Sequence, residues 1–382
     1  MEIQQSNGAK LVRNVLLKAT LLFILFNAIY YVVQPLKGLN RLTVYNTLVP
    51  GRVRLPFSEY PADSYNLIMP DLDQMLASHE IARPKADDEY RVIMIGDSSV
   101  WGYLLDPTQT QAACLNRLNP TTSDGRKVRV YNLGYPTLSV MKDLLILRHA
   151  LPYKPDLIVW STTLASLYPS DQLDFEVVHA DYDEVAALVD QYKFKLYQWP
   201  VSPPTWVDRT LIGQRRALAD WLRYQLYGLG WAATGIDHQI PKFVTPHADT
   251  LQPDDGLLTV NLMHLTTPGK ISAEDLSLDI VKAGIQTAHD QGILTLLINE
   301  PTYHSTTSEI RVNSYYPKWA YNSYRDALRD TATREGWHYA DLWDSVPVDQ
   351  FTDTDFHLTP AASCTFAATL RDPLLALATS SR

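Results

Sequence analysis

Short apolar runs alternate with segments of helical spacing along most of this chain, and that alternation limits the possible folds more than any other feature. Four runs of six or seven residues are rich in Val, Ile and Leu, at 91–96, 128–134, 156–161 and 292–298, and a fifth short run, Gly-Trp-His-Tyr-Ala, lies at 336–340. Helical spacing occurs at 138–151, 276–289, 321–335 and 360–378. Strands that alternate with helices predict an α/β fold with a parallel sheet covered on both faces.

A second constraint lies near the N-terminus, where residues 19–33 read ATLLFILFNAIYYVV and carry no charge. Extended back to Val15, the run has nineteen positions and is interrupted only by Lys18. A bilayer core needs about 20 apolar residues, so we predict a transmembrane helix at 15–34 after a short tail at 1–14. The main alternative is a cleaved signal peptide, but the run ends without the small-residue site that such a peptide needs.

The orientation of this helix does not follow from charge, because Lys and Arg lie on both sides of the span. The short N-terminal tail favours a single-pass protein of the cell membrane whose larger part is extracytoplasmic. This location is an expectation that a protease-protection assay can test.

Composition excludes several classes of function. The chain has 382 residues with 33 basic and 42 acidic side chains, so its net charge is -9, which argues against a nucleic-acid partner. Its two cysteines are too few for a disulfide scaffold or a Cys-rich zinc site, and they make at most one bridge. The histidines outside the candidate site show no metal-ligand spacing, and we predict neither a metal nor a cofactor.

The remaining chain divides into two parts. Residues 35–87 are rich in proline, and we predict a stalk or approach segment with one short helix near 71–78. Residues 88–380 hold the α/β domain, with an insertion or cap at about 169–267 where the alternation stops. An amphipathic segment at 210–227 lies in the insertion. We expect it to pack on the domain as an ordinary helix, with a membrane-facing helix as the alternative.

The most informative short motif is Gly96-Asp97-Ser98-Ser99, directly after the first predicted strand. Ligands bind at the carboxyl ends of parallel strands, and a serine at the start of the next helix lies where negative charge is stabilised. Ser98 is therefore a candidate nucleophile. The alternative is a plain strand-to-helix turn in which Asp97 or Ser98 caps the helix.

A serine nucleophile needs a base, and histidine is the usual one. His357 stands just before the last predicted helix, with Asp353 and Asp355 close to it. We predict that His357 takes the Ser98 proton while one carboxylate orients the imidazole ring. A helical turn would align Asp353 with His357, which is our first choice, whereas an extended backbone would align Asp355.

On these residues the chain resembles the SGNH (GDSL-type) hydrolase family. The matching blocks are 96–99, Asn132-Leu133-Gly134 and 353–357, and the resemblance spans about 90–168 and 276–378. It implies a flavodoxin-like three-layer α/β/α fold. It also implies an oxyanion hole formed by the backbone N–H groups of Ser98 and Gly134.

Two departures from the family pattern stand out. The third block usually reads Gly-x-Asn-Asp, but here residues 160–164 are Trp-Ser-Thr-Thr-Leu. The hydroxyl of Thr162 or Thr163 could replace the asparagine near the oxyanion and substrate, or both threonines merely end the strand. In addition, the family's Asp normally precedes His by three positions, where this chain has Thr354.

One further carboxylate lies at the predicted ligand edge of the sheet. Glu300 follows the fourth strand, so it is a candidate substrate-binding residue, with a loop-capping role as the alternative.

Three functions are compatible with these patterns. The first is a membrane-anchored serine esterase that acts on an ester or an acylated glycan. The second is an O-acyltransferase of a cell-surface polysaccharide, as in membrane-tethered members of the family, with a membrane-embedded acyltransferase as its partner. The third is an inactive SGNH-like domain that binds glycan or acts as a scaffold.

Overall fold

The computed structural model of the protein describes residues 2–53, 71–196, 202–238 and 269–380. The strands are β1 Glu89–Ile95, β2 Lys127–Asn132, β3 Leu157–Thr162, β4 Leu294–Asn299 and β5 His338–Asp341. The helices up to β3 are α1 Glu2–Val33, α2 Leu36–Leu39, α3 Val44–Leu48, α4 Leu72–Ser78, α5 Ser98–Trp101, α6 Gln111–Arg117 and α7 Val140–Ala150. The later helices are α8 Glu176–Ala180, α9 Tyr182–Tyr192, α10 Arg215–Thr234, α11 Leu278–His289, α12 Lys318–Glu335 and α13 Pro360–Ser380.

The five strands form one parallel sheet in the order β2-β1-β3-β4-β5. This is the order of flavodoxin-like doubly wound folds, and the predicted fold class is confirmed. Helices α7 and α11 pack together on one face of the sheet, and α6 and α13 pack together on the other. The central strands are almost wholly buried because both of their faces are covered; in β1 and β3 each residue is buried, and in β4 all but the first. The edge strand β5 is exposed or half-buried.

The register of the sheet brings three strand ends to one edge. Ile95 pairs with Trp160, and Thr162 pairs with Asn299. The residues that follow β1, β3 and β4 therefore meet at the carboxyl edge of the sheet, where a ligand site is expected.

The last part of the predicted stalk, from residue 71 on, packs against the domain. The predicted short helix near 71–78 is present as α4, and Asp71 caps it by accepting a hydrogen bond from the backbone N–H of Gln74. Its side chains Leu72, Met75 and Leu76 are buried in the core. Their spacing places them on one helix face, so burial of this apolar face draws the segment onto the domain.

Helix α1 carries the long apolar run. Its Gly8–Val33 portion is long and apolar enough to cross a membrane, with a mean hydropathy of 1.9, and only 11% of the apolar window is buried. The helix ends where Gln34 adopts a positive φ of 45° before Pro35. By length and composition, this helix fits the predicted anchor.

The described part of the predicted insertion packs against the segment that follows α1. The expected amphipathic helix begins at Arg215 and runs to Thr234, and it contacts α3. The ring of Trp231 packs edge-on against the buried Tyr45, with centroids 6.1 Å apart. Residues 197–201 and 239–267 of the predicted insertion, like residues 54–70 of the predicted stalk, lie outside the described residues.

A disulfide joins Cys114 of α6 to Cys364 of α13. The sequence allowed one bridge without showing that it forms. The bond links the helix that follows the Ser98 turn to the helix that follows His357, across 250 positions of sequence.

Candidate active site

The turn after β1 presents Ser98 at the carboxyl edge of the sheet. Asp97 caps the short helix α5, because its carboxylate accepts a hydrogen bond from the backbone N–H of Ser99 at 2.8 Å. Gly96 has a φ of +155°, and a Cβ there would lie 2.7 Å from Cγ2 of Val100. Glycine therefore allows the tight turn that starts the helix at Ser98.

His357 lies between Ser98 and Asp353. Its Nε2 is 2.8 Å from the Ser98 hydroxyl, and its Nδ1 is 2.8 Å from Oδ1 of Asp353. Since an ionised carboxylate can only accept, Nδ1–H donates to Asp353, and Nε2 is left to accept from Ser98. This is the arrangement that a serine nucleophile, a general base and an orienting carboxylate require.

Local backbone geometry selects Asp353 over Asp355. The backbone N–H of His357 donates to Oγ1 of Thr354, which closes a turn and places residues 353 and 357 on the same side. The carboxylate of Asp355 instead accepts hydrogen bonds from the backbone N–H and the hydroxyl of Ser314. The sequence left this choice open because it depends on the backbone of the loop.

The charge and stacking around His357 suit a base. Burial by itself raises the pKa of Asp353, but the hydrogen bond and charge of His357 outweigh it and hold that pKa below its usual value. The ring of Tyr103 stacks on the imidazole with centroids 4.6 Å apart and planes 28° apart. Tyr103 was not identified from the sequence, where its only signal is its position shortly after Ser98.

The second block lies against the helix that carries Ser98. A Cβ at Gly134 would lie 2.3 Å from the backbone nitrogen of Trp101, so only glycine fits there. The Gly134 N–H, a candidate oxyanion donor, donates to Oδ1 of Asn132 at 3.0 Å. The amide of Asn132 in turn donates to the Trp101 carbonyl at 3.1 Å, which ties the two blocks together.

The two threonines of the third block are buried, and their hydroxyls are used inside the fold. Thr162 donates to the Ile298 carbonyl at 3.1 Å, and the hydroxyls of Thr163 and Tyr316 share a hydrogen bond at 3.2 Å. Thr163 also caps the following turn with Ser166. These contacts correct the expectation of an oxyanion or substrate role for the two hydroxyls and match the alternative, in which the threonines end the strand.

Glu300 lies beneath the nucleophile turn rather than in an open pocket. It is 1% exposed, and one carboxyl oxygen accepts hydrogen bonds from the hydroxyls of Ser99 and Ser161 at 2.5 and 3.0 Å. Burial, followed by the nearby Asp97 charge, raises its pKa well above the usual value. The expected substrate contact is therefore corrected to a structural position behind Ser98.

A buried lysine joins the first block to the second. Lys142 of α7 is fully buried, and its ammonium group donates to the carbonyls of Gly96 and Tyr135 at 2.7 and 3.1 Å. It also forms an ion pair with Asp143 at 2.7 Å, and Asp143 accepts from the indole N–H of Trp160. The sequence signal for this cluster is a Lys-Asp pair inside an otherwise apolar stretch of helix, which our sequence reasoning missed.

One group in the described part of the chain has the spacing of metal ligands, and it lies outside the triad. It consists of His149, Asp181 and Glu184. Burial lowers the pKa of His149, but the hydrogen bonds that its ring N–H groups donate to Asp181, Asp73 and Glu184 raise it to about 11. Both ring nitrogens of His149 already bind carboxylates, and the imidazole is held in its protonated, cationic form.

Comparisons with known proteins give low similarity. No family model and no curated protein matches the sequence. One similar solved structure, described as a G-D-S-L family lipolytic protein from Desulfitobacterium hafniense DCB-2, shares 11% identity over 74% of this chain and 99% of its own, with a TM-score of 0.34. The α/β hydrolase LAE5 from the metagenome of Lake Arreo shares 12% identity over 76% and 94%, with a TM-score of 0.35.

A third similar structure is a variant of Axe2, an acetyl-xylooligosaccharide esterase from Geobacillus stearmophilus. It shares 10% identity over 75% of this chain and 94% of its own, with a TM-score of 0.36. Similarity this low transfers no activity to this chain.

Proposed function

We propose that this protein is a serine esterase that cleaves an ester-linked acyl group through an acyl-enzyme. The observation that carries the proposal is the pair of 2.8 Å contacts that join Ser98, His357 and Asp353 in one line. The three residues come from the two ends of the catalytic domain, and they meet at the carboxyl edge of the parallel sheet. This is the place and the geometry that acyl transfer to serine needs.

The chemistry follows from these contacts. As the Ser98 oxygen attacks the ester carbonyl, its proton passes to Nε2 of His357, and Asp353 stabilises the resulting imidazolium. His357 then gives the proton to the departing alkoxide, which leaves as an alcohol. Water attacks the acyl-serine with His357 as base, so one ester and one water yield one acid and one alcohol.

The oxyanion formed in each step needs donors close to Ser98. The backbone N–H groups of Ser98 and Gly134 are the proposed donors, and each such donor is worth about 2.7–4 kcal/mol in the transition state. In the transition state, the Gly134 N–H would donate to the oxyanion instead of to Oδ1 of Asn132. Lys142 donates to the carbonyls of Gly96 and Tyr135, and this keeps the Gly134 N–H close to α5.

We place the site outside the cytoplasm, held to the membrane by α1. The apolar helix supports the anchor, and the Cys114–Cys364 disulfide supports an oxidising compartment. The proposed substrate is a neutral ester or an acylated glycan at the cell surface, with no cofactor or metal ion and no nucleic-acid partner.

The test uses the full chain in detergent with p-nitrophenyl acetate as substrate. Ser98→Ala and His357→Ala should each lose hydrolysis, and a fluorophosphonate probe should label wild type but not Ser98→Ala. The matched controls Ser345→Ala and His338→Ala change residues outside the triad and should keep wild-type rates. Wild-type inactivity together with absent labelling would instead favour an inactive, glycan-binding or scaffold protein.

Transfer to a sugar hydroxyl is the second candidate function. It is favoured by the missing third-block amide, because the side chains of Thr162 and Thr163 are occupied within the fold and offer no replacement donor. The same assay with an acceptor oligosaccharide separates the two functions. Acylated oligosaccharide with little free acid would support transfer, and co-purification of a membrane-embedded acyltransferase would identify the source of the acyl group.

A further inference from the structure

The one polar amide inside the apolar run of α1 has a partner outside that helix. Oδ1 of Asn27 accepts a hydrogen bond from the backbone N–H of Ile212 at 3.2 Å, while its amide donates to the Phe23 carbonyl. At the end of the helix, the amide of Gln34 donates to the Arg209 carbonyl at 2.8 Å. These contacts hold residues 206–213 against the side of α1.

This contact lies at membrane depth if α1 spans the bilayer. Asn27 precedes the last helical residue, Val33, by six positions, which is about 9 Å along an α-helix. Backbone N–H groups need a partner in hydrocarbon, and a polar side chain there is costly unless it is paired. The Asn27–Ile212 hydrogen bond satisfies both groups at the same time.

Three side chains around this contact are apolar and exposed, beside the exposed Asp208 and the ion pair of Arg209 with Asp183. Trp206 is 70% exposed, and Val207 and Ile212 are 41% and 40% exposed. Exposed apolar clusters of this kind mark an interaction site. Tryptophan is enriched at the membrane–water boundary, where its ring contacts lipid and its N–H contacts water.

The helix that follows continues the exposed apolar surface. The face of α10 that packs on the domain includes Tyr224 and Trp231. The opposite face is an exposed apolar stripe at helical spacing, formed by Ala219, Leu222, Leu226, Leu229 and Ala233. The exposed Arg215 and Arg216 begin the same helix. Apolar residues on the outer face with arginines beside them are typical of a helix that lies in a membrane interface.

We infer that residues 206–213 and the outer face of α10 form a second membrane contact, with the lipid bilayer as its occupant. The turn at 206–213 inserts beside α1, the leucine stripe of α10 rests at the level of the headgroups, and Arg215 and Arg216 bind anionic lipid phosphates. Lipid is the occupant that fits because the surface begins on α1 itself, at the depth of Asn27. This inference rests on the proposed anchoring by α1.

Two contacts with the membrane restrict the motion of the domain more than one helix does. A single anchor leaves the domain free to rotate and tilt above the membrane. A second contact about two helical turns inside the end of α1 fixes the orientation of the domain, and with it the direction that the Ser98 edge of the sheet faces.

The test places spin labels on the full chain in vesicles that contain anionic lipid. The labelled variants are Trp206→Cys and Leu226→Cys, with Phe23→Cys on α1 as the lipid reference and Ile310→Cys, an exposed apolar position of the catalytic domain, as the matched control. The native cysteines are joined in a disulfide, so they do not react with the label. Collisions of each label with oxygen and with a water-soluble nickel complex report lipid or water contact.

We expect the Trp206→Cys and Leu226→Cys labels to favour oxygen over nickel, as the Phe23→Cys label does, while the Ile310→Cys label favours nickel. Labels at 206 and 226 that behave like the one at 310 would overturn the second contact. Protection from both reagents would show a protein partner instead of lipid and would overturn it as well.

A water-exposed label at Phe23→Cys would contradict the membrane anchor, and with it the second membrane contact. Hydrolysis of p-nitrophenyl acetate by the same variants should equal that of wild type. That activity reports on the esterase proposal separately from membrane contact.

Discussion

The two sides of the candidate triad are held in different ways. On the nucleophile side, the turn that carries Ser98 contacts two buried ionisable side chains. Lys142 donates to the Gly96 carbonyl, and Glu300 accepts from the Ser99 hydroxyl. On the base side, His357 lies in a loop before α13, and its partner Asp353 is 35% exposed. Substitutions on the nucleophile side should therefore reduce the stability of the fold as well as displace Ser98. Substitutions on the base side should reduce activity while the fold persists.

The largest expected effect is catalytic and falls on the base side. Asp353→Asn should lower kcat for p-nitrophenyl acetate by about 10⁴-fold, because the amide no longer holds His357 in the required tautomer. Asp355→Asn is the matched control, since this carboxylate contacts Ser314 and not His357. It should cost about 1–3 kcal/mol of folding free energy and leave kcat near the wild-type value. Equal kcat losses in the two variants would contradict the assignment of Asp353.

The next effect should appear on the nucleophile side, as lost stability. Lys142→Met leaves Asp143 buried without its ion-pair partner, and such a loss costs about 3–5 kcal/mol in the free energy of unfolding. Urea unfolding measures it. The control Lys282→Met breaks an exposed ion pair with Glu335, which is worth at most about 1 kcal/mol. A Lys142→Met protein as stable as this control would show that the buried pair does not hold the turn.

A third experiment tests the covalent link between the two sides. Cys114 and Cys364 join α6 to the helix that begins after His357. Replacing both with serine should reduce the free energy of unfolding by about 2–4 kcal/mol, because the unfolded chain gains freedom. Reduced wild type should unfold like the double variant. Identical stability with and without reductant would mean that the bond does not constrain the chain.

The smallest effect concerns Glu300 and depends on pH. Its pKa is raised in the folded protein but has the usual value near 4.5 when unfolded. The associated stability is therefore full below about pH 4.5 and declines as the pH rises toward the folded pKa. Glu300→Gln, which keeps the shape, should be within about 1 kcal/mol of wild type at pH 4 and should lack that decline. Parallel stability profiles for the two proteins would contradict a protonated Glu300.

The sequence predicted most of the framework because the relevant signals are local. The five strands appear within about two residues of their expected bounds, since the buried central strands are marked by short apolar runs. The strand end at Gly96 identified the nucleophile side of the site, and the position of His357 before α13 identified the base side. Both depend on the order of elements along the chain and not on details of packing.

The errors occurred where long-range packing decides the outcome. The proline-rich segment before the sheet suggested a stalk, but the apolar face of α4 packs into the core. Thr162 and Thr163 suggested oxyanion donors, yet the neighbouring Ile298 and Tyr316 take their hydroxyl contacts. Glu300 stood at the correct edge of the sheet but points into a buried polar cluster.

By itself, the sequence determined an apolar N-terminal helix, a parallel α/β sheet and a serine and histidine at positions suited to acyl chemistry. Local apolar periodicity and turn residues are sufficient for these conclusions. Only the tertiary structure decided that Asp353 rather than Asp355 contacts His357, that Tyr103 stacks on it, and that Lys142 joins two loops. Those contacts depend on backbone turns and on pairs of residues far apart in the chain, which no periodicity in the sequence records.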